Sequence, residues 1–422
     1  MRSSQLVRQS SRTASFFLAG GSGAALLTAS AAPSPLYPVY QRLWGFSALT
    51  LTVIFAVYVF ALMASLITVG SISDRVGRRP LAIGAMVLLA ISMLLFVFAG
   101  SVGGLLAARI VQGIAVGAAT GAISAMIIDL QPHARAGSMV SSAAPAIGMA
   151  VGAMAAGVLV DYAPWPRYLV YWLLAGLYLV LAILLARLPQ EQRRSADGRS
   201  VFRALRPSVG LPAEIRAGFL AVVPAMAATW ALGGLYLSLG TSIVARVLGV
   251  HSHAVAGLVL GAFFGSGAIG GALSGRLPER LRERVGLTGL GIGVLITLIA
   301  ALLPSTPLYV LGSVVAGAGF GATFRAVIAE VAALTPALQR GRVFATMYLL
   351  SYTAFSVPAL VAGLLTGVVG LRDTTIGYVA LDALLVAAAM IISLVRARRA
   401  MRLAATAPAA IPGLAPCGRT TS

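Results

Sequence analysis

Lysine is absent from this 422-residue chain: all 31 of its basic residues are arginine. That excludes a Walker-A phosphate loop and Schiff-base chemistry, since both need the lysine amine. Cysteine occurs once, at Cys417, so no intramolecular disulfide framework exists, and the ending Cys417-Gly-Arg-Thr-Thr-Ser422 is not a prenylation box. The three histidines, His133, His251 and His253, offer no metal set, and His251-Ser-His253 is expected on a solvated outer turn. Acids number only 11. No nucleophile–base or metal constellation stands among these residues, so neither an enzyme nor a cofactor is expected.

What is abundant is apolar surface. Hydrophobic residues make up 59% of the chain and charged residues 10%. A soluble domain of this length cannot hide so much apolar surface, because most of its outer residues must face water. A bilayer removes the difficulty by solvating apolar side chains directly.

A span needs about 20 mostly apolar residues to cross about 30 Å of hydrocarbon. Six such runs stand at 14–34, 48–70, 81–99, 102–129, 138–160 and 168–188. A polar, arginine-rich stretch follows to about 215, then six more at 216–240, 253–274, 286–304, 306–333, 343–367 and 374–395. The expected fold is therefore an all-α polytopic membrane protein of twelve transmembrane helices. Its expected units are an N-terminal six-helix bundle (1–188), a linker (189–215), a second six-helix bundle (216–395) and a tail (396–422).

The first run has a rival reading. Arg2, Arg8 and Arg12 before an apolar stretch, then Ala29-Ser30-Ala31, resemble a secretory signal peptide. A retained helix is expected instead, because the halves match only if the first has six spans. Gly70-Ser-Ile-Ser-Asp74-Arg75 and Gly271-Ala-Leu-Ser-Gly275-Arg276 both follow a second span. Gly117-Ala118 and Gly321-Ala322 sit in the fourth spans, which lead to Leu130-Gln131-Pro132 and Leu334-Thr335-Pro336. This is a 6+6 parallel repeat, the arrangement that places a binding site at the midplane between halves.

Sorted by these spans, 25 arginines fall on one face, four (Arg42, Arg167, Arg246, Arg372) on the other, and Arg109 and Arg325 inside spans. The positive-inside rule makes the arginine-rich face cytoplasmic, where anionic lipid headgroups attract it; a nucleic-acid partner is not expected. Both termini are then cytoplasmic, in a bacterial inner membrane.

The loop after span two reads Gly70-x-x-x-Asp74-Arg75-x-Gly77-Arg78-Arg79-Pro80. Gly70 allows close helix approach, Gly77 permits a tight turn, and Pro80 starts the next helix where no N–H is needed. Asp74 is a rare acid among arginines, free to pair with Arg78 or to sit at a helix N-terminus. Span four carries Arg109-x-x-Gln112-Gly113, with a charge whose burial costs roughly 2.5–3.5 kcal/mol on insertion scales. Span five carries Ala144-Pro145-x-x-Gly148-x-x-x-Gly152, a candidate bend. On these motifs the chain resembles the major facilitator superfamily, and span five is a partial copy of its antiporter signature.

The resemblance implies two bundles rocking around a cavity lined by spans 1, 4, 7 and 10. It implies that Gly70, Asp74, Arg75, Gly77, Arg78 and Arg79 latch the cytoplasmic side, with Asp129 as the partner of Arg78. Gly275 stands where a second Asp74 would, so that latch is one-sided. Candidate cavity residues on the lining spans are Ser30, Arg109, Gln112, Trp230, Tyr236, Phe320, Phe324 and Arg325. Glu330, near the cytoplasmic end of span ten, is the first candidate proton carrier, and Asp382 in span twelve is the second. Arg325 lies five residues before Glu330, off the i+3/i+4 face, so no ion pair between them is expected.

These residues point to a monomeric, proton-coupled exporter of amphipathic or drug-like small molecules. The alternatives are an importer or uniporter of a polar or anionic metabolite, which the two buried arginines would suit, and a transport-inactive sensor or scaffold. An even span count carries a prediction: a reporter active only in the cytoplasm will be active when fused to the C-terminus, and one active only outside will be silent. The reverse result would mean an odd number of spans.

Overall fold

The computed structural model describes residues 2–69, 76–188, 210–336 and 339–406. Gly70, Asp74 and Arg75 of the expected latch, most of the linker, and Cys417 lie outside them. Among the described residues the chain is helical throughout: α1 (Arg2–Ala31), α2 (Ala48–Val69), α3 (Arg78–Val97), α4 (Val102–Leu130), α5 (Ala134–Tyr162) and α6 (Leu169–Ala186) form the first half. The second half holds α7 (Ala213–Ser238), α8 (His253–Ser274), α9 (Glu279–Leu302) and α10 (Thr306–Leu334). Its last element, Arg340–Thr406, is two arms, α11 and α12, meeting at Gly370 with φ 84°. An α-helix satisfies its backbone groups within its own segment, which lets each one cross lipid.

The first helix of each half ends early and restarts. α1 stops at Ala31, a turn of 3₁₀-helix spans Ser34–Leu36, and a short rim helix runs Tyr37–Trp44. α7 stops at Ser238, and a second rim helix runs Gly240–Arg246. Pro33 and Pro35 account for the first break, since neither has an N–H to continue the ladder. Gly77 takes φ 96° and caps α3, as its turn role requires. The helix begins at Arg78, so Pro80 occupies its third position rather than its first; the first four N–H groups are unpaired in any helix, so the proline costs nothing there.

Twelve crossings put both ends of the described chain on one face, called here the terminal face. The opposite one, with short connections near residues 45, 164, 250 and 304, is the loop face. α1 packs on α4, α5 and α6 of its half.

The repeat visible in sequence is also a repeat of contacts. A methyl on Gly117 would strike the carbonyl of Leu62, seating α4 on α2, and one on Gly321 would strike the carbonyl of Gly267, seating α10 on α8. In α5, Gly148 and Gly152 face the carbonyls of Ala24 and Thr28 on α1, and the Thr28 hydroxyl donates to the Gly148 carbonyl at 3.1 Å. The glycines of the Pro145 motif therefore bring two helices into backbone contact. Gly321→Ala is expected to destabilise the fold by about 1–3 kcal/mol through overpacking. Gly176→Ala, where nothing lies within 4 Å, should be neutral. Thermal unfolding of the two purified variants in detergent measures the difference.

Candidate functional site

The expected cavity residues do not converge on one surface; they fall into separate clusters. In the first half, Arg109 and Gln112 are fully buried one turn apart on α4. Arg109 Nη1 donates to Gln112 Oε1 at 2.6 Å and to the Ser30 carbonyl at 3.3 Å, and Nε donates to the Tyr37 hydroxyl at 3.0 Å. Nη2 also donates to the Tyr37 hydroxyl. Gln112 Nε2 donates to the Ala29 carbonyl at 2.7 Å, and the Ser30 and Tyr58 hydroxyls share a bond of 2.6 Å. The guanidinium lies 5.1 Å from the Tyr58 ring centroid and 5.8 Å from that of Phe96, within cation–π reach. No carboxylate balances Arg109 among the described residues. Carbonyls, a phenol and ring faces disperse its charge instead. The break after α1 makes this possible, because it turns Tyr37 back over the guanidinium.

In the second half, Tyr236 is buried against Phe263, with ring centroids 4.2 Å apart, and its hydroxyl shares a bond of 2.7 Å with Ser313. Trp230 gathers three rings edge-on: Phe324 at 5.4 Å, Tyr352 at 4.9 Å and Phe355 at 5.6 Å. Phe320 stacks on Phe324 at 6.3 Å. The wall continues across to the first half, where the Phe55 ring lies 5.1 Å from that of Phe355. The Trp230 indole N–H has no acceptor among the described residues. Arg325 stands apart from this wall, donating to the Gly271 carbonyl at 3.1 Å and lying against Gly275. The missing acid at position 275 thus leaves room for the guanidinium of α10.

The named contacts between halves gather toward the loop face. Gly363 of α11 meets Thr52 of α2, and Gly157 of α5 meets the backbone of His253 and Gly257 on α8. The two broken helices touch: the Ser34 hydroxyl donates to the Leu237 carbonyl at 2.9 Å, and the Thr241 hydroxyl donates to the Ser34 carbonyl at 3.1 Å. Toward the terminal face the described charged contacts stay within one half. Arg78 pairs with Asp129 and donates to the Ala125 carbonyl at 3.1 Å, while Arg12 donates to the Asp129 carbonyl at 3.0 Å. Arg79 donates to the carbonyls of Leu185 and Ala186, capping the end of α6. The described links between the halves are therefore at the loop face, while the described ion pairs at the terminal face lie within a half.

Of the two candidate proton carriers, Glu330 forms an ion pair with Arg396 of α12. That partner was missed because it lies 66 residues away on another helix. Asp382 is buried in α12, and neither carboxylate oxygen has a hydrogen-bond partner among the described residues. The expectation of a solvated His251–His253 turn fails for His253, which bonds Asp161 across the halves because α5 and α8 approach to backbone contact. An acid ending one span and a Ser-His pair opening another were the signals in the sequence.

A family model described as Major Facilitator Superfamily matches residues 18–250, more than half of the chain. Over 91% of this chain and 97% of the other, the fold superposes with a TM-score of 0.72 and 16% identity on a bacterial homolog of the human lysosomal transporter Spinster, inward-facing and unoccupied. Among curated proteins, a gentisate transporter of Corynebacterium glutamicum is 28% identical over 158 residues, 36% of each chain. An MFS efflux transporter of Aspergillus oryzae is 33% identical over 139 residues, 32% of this chain and 25% of that one. The chain therefore spans about a third or less of the length of these relatives. With its twelve helices in two repeated halves and the match across both α1–α6 and the start of the second half, the chain belongs to the major facilitator superfamily, whose fold is that of transporters.

Proposed function

We propose that this chain is a secondary active exporter of amphipathic, aromatic small molecules, working by alternating access in exchange for protons. The observation that carries the reading is the ring wall of Trp230, Phe324, Tyr352 and Phe355, at the junction of two halves that meet toward the loop face. Aromatic faces with a free indole donor suit a ligand that is mostly apolar and carries one acceptor. A relative named as an efflux transporter supports the direction. The protein acts as a monomer in a bacterial inner membrane, with the arginine-rich terminal face in the cytoplasm.

Glu330 is the proposed proton carrier. Protonation neutralises its carboxylate and releases Arg396, so α10 and α12 lose their tie at the terminal face. Asp382 is the second candidate. Arg78 and Asp129, with the Gly70–Arg79 loop, are proposed to stabilise one orientation of the halves from the same face. A second reading, uptake of an aromatic anion, rests on Arg109, whose buried charge has no carboxylate, and on the relative named for gentisate.

Proteoliposome flux tests these readings together. Ethidium should accumulate against its gradient when a pH gradient is imposed, and Trp230→Ala should weaken its binding about tenfold, since an aromatic pair contributes roughly 0.5–1.5 kcal/mol beyond its buried area. Gentisate accumulation without ethidium movement would favour the second reading instead. Glu330→Gln is expected to abolish gradient-driven accumulation and spare counterflow; accumulation that survives would remove Glu330 from the mechanism. Exchanging the charges of Arg78 and Asp129 should recover more transport than the two single changes predict, whereas additive losses would show that the pair is uncoupled.

A further inference from the structure

We propose that Asp161 is the latch that holds the two halves shut at the loop face. It is the penultimate residue of α5, in the first half, and its carboxylate collects three donors from the start of α8, in the second. Oδ2 accepts from the Ser252 hydroxyl at 2.7 Å and from the Ala254 backbone N–H at 2.8 Å, while Oδ1 lies 2.8 Å from His253 Nδ1. The Ser252 hydroxyl also accepts from the Val255 N–H at 3.2 Å, so the residue that caps α8 is itself anchored on the other half. An acceptor carboxylate at a helix N-terminus meets unpaired N–H groups and the positive end of the dipole.

A second first-half group holds the same imidazole from its other side. Arg42, on the rim helix after α1, lies 3.3 Å from His253 Nε2. A guanidinium can only donate, so Nε2 is the acceptor, and Nδ1 carries the proton donated to Asp161. Directly beneath, Gly157 and Gly257 bring α5 and α8 into backbone contact, leaving the carboxylate no freedom to follow its donors if the helices part. Opening this face must therefore break all three bonds together. Charge-assisted bonds of this kind are about twice as strong as neutral ones. The carboxylate thus stabilises the loop-closed arrangement alone, which is the differential contact a conformational latch requires. At the terminal face, by contrast, the described Arg78–Asp129 pair ties two helices of the same half.

The inference needs only that the halves alternate, and does not depend on substrate or coupling ion. Phe98 and Leu303 are exposed at the loop-face ends of α3 and α9, one in each half. Spin labels on Phe98→Cys and Leu303→Cys, in a Cys417→Ser background in proteoliposomes, report the opening as a distance. Asp161→Asn keeps the side-chain size and loses the charge; it should raise the ratio of long to short distances about tenfold. Ser252→Ala, which removes one donor of three, should raise it by a smaller factor. Melting temperatures in detergent establish that each variant is folded. Unchanged distances in folded Asp161→Asn and Asp161→Ala, beside a wild type that populates both, would overturn the latch. A single distance in the wild type under every condition would overturn the alternation on which it rests.

Discussion

Backbone contact at glycine is the constraint on which this bundle depends. In hydrocarbon no hydrophobic force draws helices together, because lipid tails are as apolar as leucine; packing and polar contacts must do it. Here the packing is achieved where a side chain is missing. Gly113 and Gly117 seat α4 on α2, Gly317 and Gly321 seat α10 on α8, and Gly293 and Gly319 bring α9 and α10 together. The same device works between halves at Gly157 with Gly257, while Gly363 makes room for the Thr52 side chain. In the alternating cycle proposed above, glycine faces within a half would persist while those between halves would separate. α5 carries both kinds, with Gly148 and Gly152 toward α1 and Gly157 toward α8.

Close approach also explains how the chain tolerates buried charge. Arg109 has no acid beside it among the described residues, yet one carbonyl, one amide oxygen and one phenol lie within reach because α1, the rim helix and α4 pack tightly around it. Elsewhere arginine works at helix ends. Arg372 donates to the carbonyl of Leu302 at 2.8 Å and to that of Ala301 at 3.5 Å, while Arg79 serves Leu185 and Ala186 in the same way. A planar fork of five donors suits this role, since the last carbonyls of a helix lack intrahelical partners. An all-arginine basic set is therefore compatible with helix capping as well as with lipid binding.

Helix number, the repeat and the family were legible in the sequence because each depends on local composition or on spacing along one helix. The apolar runs, Gly117 with Gly321, and the Gly77-Arg78-Arg79 turn are signals of that kind. The site was less legible. Arg109 and Gln112 could be placed on the right helix, but not turned inward toward Tyr37, since that depends on the chain reversing after Pro33. Glu330 could be separated from Arg325 by helical arithmetic, while its partner Arg396 required knowing that α12 packs near α10. Tyr352 and Phe355 lie on α11, outside the lining set that the family resemblance implies, and join Trp230 only through tertiary packing.

The two faces of the molecule solve opposite problems with different chemistry. At the loop face, where the halves meet, the joining groups are few and directional: Ser34 with Leu237, Thr241 with Ser34, and Asp161 with the start of α8. At the terminal face the described ionic groups brace single halves, Arg78 with Asp129 and Arg396 with Glu330. Rigid-body motion requires this division. A half can rock as a unit only if its internal ties outlast the ties it makes to its neighbour, and glycine-seated helices with capped ends provide the internal set. The repeat then sets where the joint lies, because α1 and α7 break at equivalent levels and touch there. The point where each half gives up a continuous helix is where the halves hold each other.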